Sequence, residues 1–307
     1  MPGGRFLPLA AAAATGIQVG AAIVATRFVV GEIGPASLAL LRYAIGFCCL
    51  LPVVLLTRPL PRFAPRDVVP IALLGIAQFG VLVALLNVGL RYLPSGRAAL
   101  IFATFPLLTM IFAAALGRER LSAAKIIGIL LTIIGVGLAL GEKAVQRGSG
   151  DHQWLGALAV LASAACGALC SVLYRPYLRQ YSPLPTGAFA MLASVGFLSA
   201  LAAGEGFFAT PPALTAGGWC AVLFIGVSSG VGYFLWLWAL KHAAATNVTI
   251  FLALSPITAE AAGSLLLGET VSPGAVLGLL AVLLGLAIAL LPAAALSLRG
   301  VVPGRPP

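Results

Sequence analysis

The second half of this chain repeats the first, and from Leu90 to Gly135 the offset is 150 positions. Leu90 falls on Leu240, Arg91 on Lys241, Pro106 on Pro256, Glu119 on Glu269, Ser122 on Ser272, Gly128 on Gly278 and Gly135 on Gly285, without a gap. Each half holds five apolar stretches long enough to cross a bilayer as helix. Five is odd, so a second copy following the first enters the membrane upside down. The predicted fold class is therefore an all-α integral membrane protein, with ten transmembrane helices as two inverted five-helix repeats around a central cavity. Inverted repeats place a site near the bilayer midplane, between halves that can rock against each other.

Of 307 residues, 61% are hydrophobic and 8% charged. A soluble domain carries about 25% charged residues, so that class is excluded. The net charge of +10 does not point to nucleic acid, because the arginines sit singly or in threes between apolar spans. All five cysteines, Cys48, Cys49, Cys166, Cys170 and Cys220, lie inside such spans. Cys166 and Cys170 share a helix face and read as small packing residues, with a metal pair as the alternative. The sequence implies no cofactor, and no G-x-x-x-x-G-K-[ST] loop is present to bind a nucleotide.

The spans fall at about 7–29, 35–56, 68–90, 96–117, 123–142, 154–174, 184–204, 217–240, 245–267 and 273–292. This divides the chain into a first repeat (1–142), a linker (143–153), a second repeat (154–292) and a disordered Pro- and Gly-rich tail (293–307). The first span follows Arg5 as a signal peptide would, but its length and its counterpart in the second half mark it as retained. Ser122 and Ser272 are predicted N-caps, the latter followed by Pro273. With the N-terminus in the cytoplasm, twelve Lys and Arg fall inside and five outside, so both termini are expected inside.

Several stretches together resemble the drug/metabolite transporter superfamily, EamA type. They are Ala25-Thr26-Arg27-Phe28, Leu41-Arg42-Tyr43, residues 105–122, residues 254–274, and Tyr233 to Leu240 in the eighth span. The resemblance covers nearly the whole chain. It implies a ten-helix transporter whose spans 1, 3, 4, 6, 8 and 9 line a cavity while 5 and 10 lie at the periphery. Two positions depart from the family pattern. Val19 stands beside Gly20 where relatives carry tryptophan, and Gly167 occupies the matching position of span six. Both predict a lining poorer in aromatic rings.

Glu260 is the sharpest candidate site residue. A charge within the hydrocarbon costs about 2.5–3.5 kcal/mol on insertion scales and usually marks a pathway. Thr249, Ala253, Pro256, Glu260 and Ser264 recur at helical spacing as one small, polar stripe. Glu260 reads as a partner for a substrate amine or as a proton carrier; the structural alternative is a pair with Arg42. Gln18 and Gln78 lie mid-span, where their amides suit a polar solute or serve as interhelical glue. Asn87 is half a turn out of phase with Gln78 and is set aside. Tyr233 and Trp236, one turn apart, make an aromatic wall or belong to an interfacial belt. Pro106 and Pro256 are matched kink or gating positions. Gly128, Gly135, Gly274, Gly278 and Gly285 form close-packing faces, with a dimer surface as the alternative. Glu119 and Glu269, at loop mouths beside helix starts, read as structural charges on the helix dipole.

The function expected is a secondary transporter in the bacterial inner membrane. It moves small amphipathic metabolites of amino-acid type, in the export direction, with proton coupling through Glu260 as an option. Its partners are a small-molecule substrate and membrane lipid, and it acts as monomer or homodimer. The alternative on the same scaffold is a flippase for lipid or lipid-linked sugar, which would need an apolar lateral opening. An enzyme is not expected, since the spans hold one acid and no histidine pair.

Overall fold

Lipid offers no hydrogen-bond partners to the backbone, so apolar spans close their N–H and C=O groups within helices. The computed structural model describes residues 3–56, 62–118, 122–144, 153–210, 212–271 and 273–290. Glu119, Ser272, most of the linker and the tail lie outside them. Among the described residues there is helix and no strand. Eight helical spans are long and apolar enough to cross a membrane: Leu7–Val29, Pro35–Leu56, Pro65–Tyr92, Ser95–Ala115, Gln153–Gln180, Pro183–Gly204, Ala216–His242 and Asn247–Leu267. Two shorter apolar stretches, Ala123–Gly135 and Pro273–Gly285, occupy the fifth and tenth positions. The outer surface is greasy: Leu265 is 84% exposed and Leu266 75%. Such a surface suits lipid and not water.

The spans are built from α1 (Gly3–Val29), α2 (Pro35–Leu56), α3 (Pro65–Gly75), α4 (Leu82–Tyr92), α5 (Ser95–Phe102), α6 (Phe105–Ala115) and α7 (Ala123–Ala144) in the first half. The second half contributes α8 (Gln153–Gln180), α9 (Pro183–Gly204), α10 (Ala216–His242), α11 (Ala245–Thr249), α12 (Leu254–Leu267) and α13 (Pro273–Leu290). A π-helical turn, Ile76–Val81, joins α3 to α4, and a 3₁₀ turn, Ile250–Ala253, joins α11 to α12. The fourth span breaks at Ala103–Thr104 and the ninth at the 3₁₀ turn, which are equivalent places in the repeat. Pro106 and Pro256 follow, each in the first turn of the next helical segment, where a missing N–H costs nothing.

The two halves pack on each other in matching pairs. α1 lies on α10 as α8 lies on α4; α1 lies on α12 as α8 lies on α6; α2 lies on α10 as α9 lies on α3. α7 and α13 pack through their glycines. A Cβ on Gly135 would meet the Gly278 carbonyl oxygen at 2.6 Å, and one on Gly285 would meet that of Gly128 at 2.6 Å. The reciprocal distances show the two helices running antiparallel. These glycine faces are filled within the chain, so they do not form a surface for a second copy.

At one end of the bundle, three carboxylates cap helix N-termini from the opposite half. Glu205 accepts from the backbone N–H groups of Ala36 (2.9 Å) and Ser37 (2.8 Å) at the start of α2. Glu32 accepts from the Thr215 N–H (2.8 Å) and hydroxyl (3.0 Å) beside α10. Gly268, at φ 64°, ends α12 in a left-handed cap. The chain beyond it carries Glu269 to the start of α5, where it accepts from Ser95 N–H at 3.1 Å and from the Ser95 hydroxyl. Each carboxylate meets the positive end of a helix dipole; Glu269 thus serves α5 and not the helix that follows it in sequence. Arg27 and Arg91 add cations in the last turns of α1 and α4, donating to the carbonyls of Leu90 (2.7 Å) and Ile33 (3.1 Å). At the opposite end, the Tyr181 hydroxyl donates to Asp67 (2.6 Å) and accepts from the Ala64 N–H (3.1 Å). The bond to the Asp67 carboxylate holds that phenol above its ordinary range.

The reciprocal glycine packing predicts matched costs. Gly135→Ala and Gly285→Ala should each destabilise the folded protein by about 1–3 kcal/mol, the usual cost of overpacking. Gly196→Ala, with nothing within 4 Å of the added Cβ, should be neutral. Thermal melts in detergent of the three variants measure this; unequal losses at the two glycines would contradict equivalent environments.

Candidate functional site

A narrow cavity of about 80 Å³ lies between the two halves. That is well below the roughly 300–1,000 Å³ of an open small-molecule pocket. The first half supplies Thr15, Gln18 and Val19 from α1, Arg42 and Tyr43 from α2, Gln78 and Phe79 from the π turn, and Phe102 and Phe105 on either side of the α5–α6 break. The second half supplies Ser229, Gly232, Tyr233 and Trp236 from α10 and Leu252 from the 3₁₀ turn. None of the lining residues is Asp or Glu.

Four of the sequence-derived candidates therefore meet: Gln18, Gln78, Tyr233 and Trp236. The Gln18 side-chain amide donates to Ser228 Oγ at 3.2 Å, and its oxygen rests against Gly232, where a Cβ would approach it to 2.6 Å. Gln78 is buried, and its amide oxygen has no hydrogen-bond partner. Buried acceptors are normally satisfied, so an unpaired one beside a cavity is a feature that needs a ligand or water. Tyr233 packs on Phe79 edge to face with centroids 4.1 Å apart, Phe79 on Tyr43 at 4.7 Å, and Trp236 on Phe105 at 6.1 Å. These rings narrow the cavity.

Glu260 does not join them. The cavity meets span nine at Leu252, and Glu260 lies eight residues beyond, about 12 Å further along the axis at 1.5 Å per residue. It lines a separate pocket of about 260 Å³ with Arg27, Gly96, Arg97 and Glu269, near the capped end of the bundle. Its Oε2 fills the place that a Cβ on Gly96 would take. The expected polar stripe is broken as well: Thr249, Ala253 and Pro256 are buried, Glu260 half-buried and Ser264 exposed. Arg42, the alternative partner for Glu260, is committed elsewhere. Its Nε donates to Ser229 Oγ at 2.7 Å, and its guanidinium lies 5.5 Å from the Tyr43 ring centroid.

Two expectations about the lining need correction. Span six contributes no lining residue and span two contributes two. The reason is Gly167: a Cβ there would lie 2.4 Å from both Leu82 Cδ1 and Phe105 Cε2. The bare glycine lets those side chains close over α8, shutting it out of the cavity. The lost aromatic of span six is thus replaced by the ring of Phe105, and six rings line the cavity rather than few. Cys166 and Cys170 face α3 and the π turn, with Cys166 Sγ 3.3 Å from the Ala77 carbonyl. No metal-competent cluster of three His, Cys, Asp or Glu exists among the described residues. Asn87 points away from the cavity and donates to the Pro35 carbonyl at 2.9 Å. A lipid-facing apolar groove between α1, α10 and α12, lined by Val24, Phe28, Phe224 and Leu266, shares no residue with the cavity.

A family model described as the EamA-like transporter family matches this chain twice, over residues 7–141 and 154–291. An uncharacterized transporter of Archaeoglobus fulgidus is 27% identical over 88% of this chain and 93% of its own length. A probable terminal-alkyne amino-acid exporter of Streptantibioticus cattleyicolor is 30% identical over 80% of both chains. A crystal structure sharing 21% identity superposes with a TM-score of 0.74, covering 96% of this chain and all of its own, and so shares the fold.

Because Gly167 sets the position of Phe105, Gly167→Ala should lower stability by about 1–3 kcal/mol through overpacking. Gly167→Ala combined with Phe105→Leu should recover most of that loss. Denaturation of the two variants beside the parent tests whether the glycine is there for the ring.

Proposed function

The chain belongs to the EamA-like transporter family, and on that premise we propose that it exports small amphipathic, amino-acid-like metabolites across the cytoplasmic membrane by alternating access. The observation that carries this reading is the cavity: it is walled by both halves, polar at a few points and aromatic elsewhere. That is the lining expected of a small-molecule site. Its small volume corresponds to a closed stage of the cycle, with Tyr43, Phe79 and Tyr233 packed where the solute sits when bound. Gln18, Gln78, Tyr233 and Trp236 form the binding site. Pro106 and Pro256, beside the two matched helix breaks, form the bending points. The amino-acid character of the solute is supported by the relative named as an amino-acid exporter.

Ten crossings follow if α7 and α13 span as well, and their antiparallel packing supports two inverted repeats. The end of the bundle with the three carboxylate caps is then the outer one. The opposite end carries Arg62, Arg66, Arg118, Arg175, Arg179 and Lys241, which supports a cytoplasmic face there and both termini inside. Glu260 belongs to the outer pocket, where the leaving solute, or a proton, exchanges with water.

Transport by the full chain in proteoliposomes tests the proposal, with a panel of amino acids, nucleosides and cations, with and without a pH gradient. Amino-acid flux should appear, and Gln18→Ala, Tyr233→Ala and Trp236→Ala should each reduce it at least tenfold with the protein still monodisperse. Glu260→Gln should remove any proton-driven component while sparing binding in the central cavity. Flux of nucleosides or cations alone would overturn the amino-acid reading, and unchanged proton drive in Glu260→Gln would remove that residue from coupling.

A further inference from the structure

We propose that Arg42 is the anchor for a substrate carboxylate, so that the transporter selects its solutes by their carboxylate and not by their ammonium group. The inference rests on the central cavity being the transport site and adds the class of solute it accepts. Arg42 lies within the second span, 9% exposed, on the cavity wall. A guanidinium carries five N–H donors in a planar fork. One, on Nε, is used on Ser229 Oγ at 2.7 Å. Among the described residues no hydrogen bond or ion pair reaches the two terminal nitrogens. Ser229 in turn donates to the Ile225 carbonyl, so the hydroxyl is fixed as an acceptor and aims the guanidinium.

A simple tether between α2 and α10 would need one donor and no charge, and a neutral amide would do. A cation kept in an apolar wall without a counter-charge is costly, and a carboxylate meets its open edge with two parallel N–H···O bonds. The rest of the lining points the same way. With no Asp or Glu there, an ammonium group finds only neutral acceptors, the amide oxygens of Gln18 and Gln78 and the hydroxyls of Thr15 and Tyr233, besides aromatic faces. Those are weaker partners than a guanidinium is for a carboxylate. The rings of Phe79, Tyr233 and Trp236 take the apolar body. Small carboxylates with an apolar side chain should therefore be accepted whether or not they carry an amine, and the matching amines should be refused.

Four phenyl probes separate the charges: L-phenylalanine, 3-phenylpropanoate, L-phenylalaninamide and 2-phenylethylamine, measured as uptake into proteoliposomes and as competition against labelled L-phenylalanine. The wild type should take up the two carboxylates and bind the amide and the amine at least tenfold more weakly. Arg42→Gln should raise the apparent KM for both carboxylates at least tenfold without worsening the amine. Arg42→Lys, which keeps the charge but not the fork, should recover part of the loss. Ser229→Ala should raise KM for the carboxylates more than it lowers kcat. If Arg42→Gln does not fold, the probe selectivity of the wild type and of Arg42→Lys still decides. Equal handling of amines and carboxylates, or an equal loss for all four probes in Arg42→Gln, would overturn the anchor and leave the cavity reading standing. Failure of the wild type to bind or move any of the four would overturn the cavity reading and the anchor with it.

Discussion

The backbone's need for hydrogen-bond partners in lipid governs this structure. A span can leave α-helical geometry only where protein or enclosed water satisfies the freed groups. Three mid-span departures occur among the described residues: the π turn at Ile76–Val81, the break at Ala103–Thr104 and the 3₁₀ turn at Ile250–Ala253. All three border the central cavity, contributing Gln78 and Phe79, then Phe102 and Phe105, then Leu252. The irregular backbone and the cavity are thus one feature. The breaks aim side chains that a straight helix would turn elsewhere, and the cavity gives the breaks a place to exist. Short π and 3₁₀ turns inside helices often mark hinges or functional sites for this reason.

The capped end of the bundle is held by a different kind of bond. Glu32, Glu205 and Glu269 each reach from one half to a helix start in the other. These carboxylates are at least partly open to water, so each bond exchanges for hydration at small net cost, on the order of 1 kcal/mol or less for exposed charge pairs. Such bonds orient the halves without locking them. Deeper in the bundle, the glycine-to-carbonyl packing of α7 on α13 has no water to exchange with. A rocking motion would therefore break the carboxylate caps more readily than the α7–α13 pair.

The helical class, the positions of the spans and the family were legible in the sequence because they rest on hydropathy, an odd span count and repeated Gly, Pro and Glu landmarks. The site was legible in part. Gln18, Gln78, Tyr233 and Trp236 stand out as polar or aromatic residues in mid-span. Glu260 stands out by the same rule, but a helical wheel reports angle and not depth, and Glu260 lies well along the axis from the cavity. Arg42 meets the rule equally and was read only as a partner for Glu260, because sequence does not show that Ser229 on another span holds it. The ring of Phe105 was hidden for a further reason. Its place depends on the empty Cβ position of Gly167, a tertiary vacancy with no local signature.

The repeat also explains why a symmetric scaffold can hold a solute in one orientation. Along spans three and eight, the cavity positions of one half match those of the other: Phe79 with Ser229, Leu82 with Gly232, Val83 with Tyr233, Leu86 with Trp236. The backbone positions are equivalent and the side chains are not. On the proposed reading, equivalent positions let two arrangements related by a pseudo-twofold axis have similar energy, as alternating access requires. Unlike side chains give the first half Arg42, Gln18 and Gln78 among its rings, and the second half Ser229, Tyr233 and Trp236. In the register that matches Val19 with Gly167 and Pro35 with Pro183, Arg42 has Ala190 as its counterpart and Gln18 has Cys166, so neither polar group is duplicated. On the proposed anchor at Arg42, a solute with one polar end and one apolar end has a single preferred orientation through the cycle. The two halves can exchange roles around it while its polar end stays with the first half.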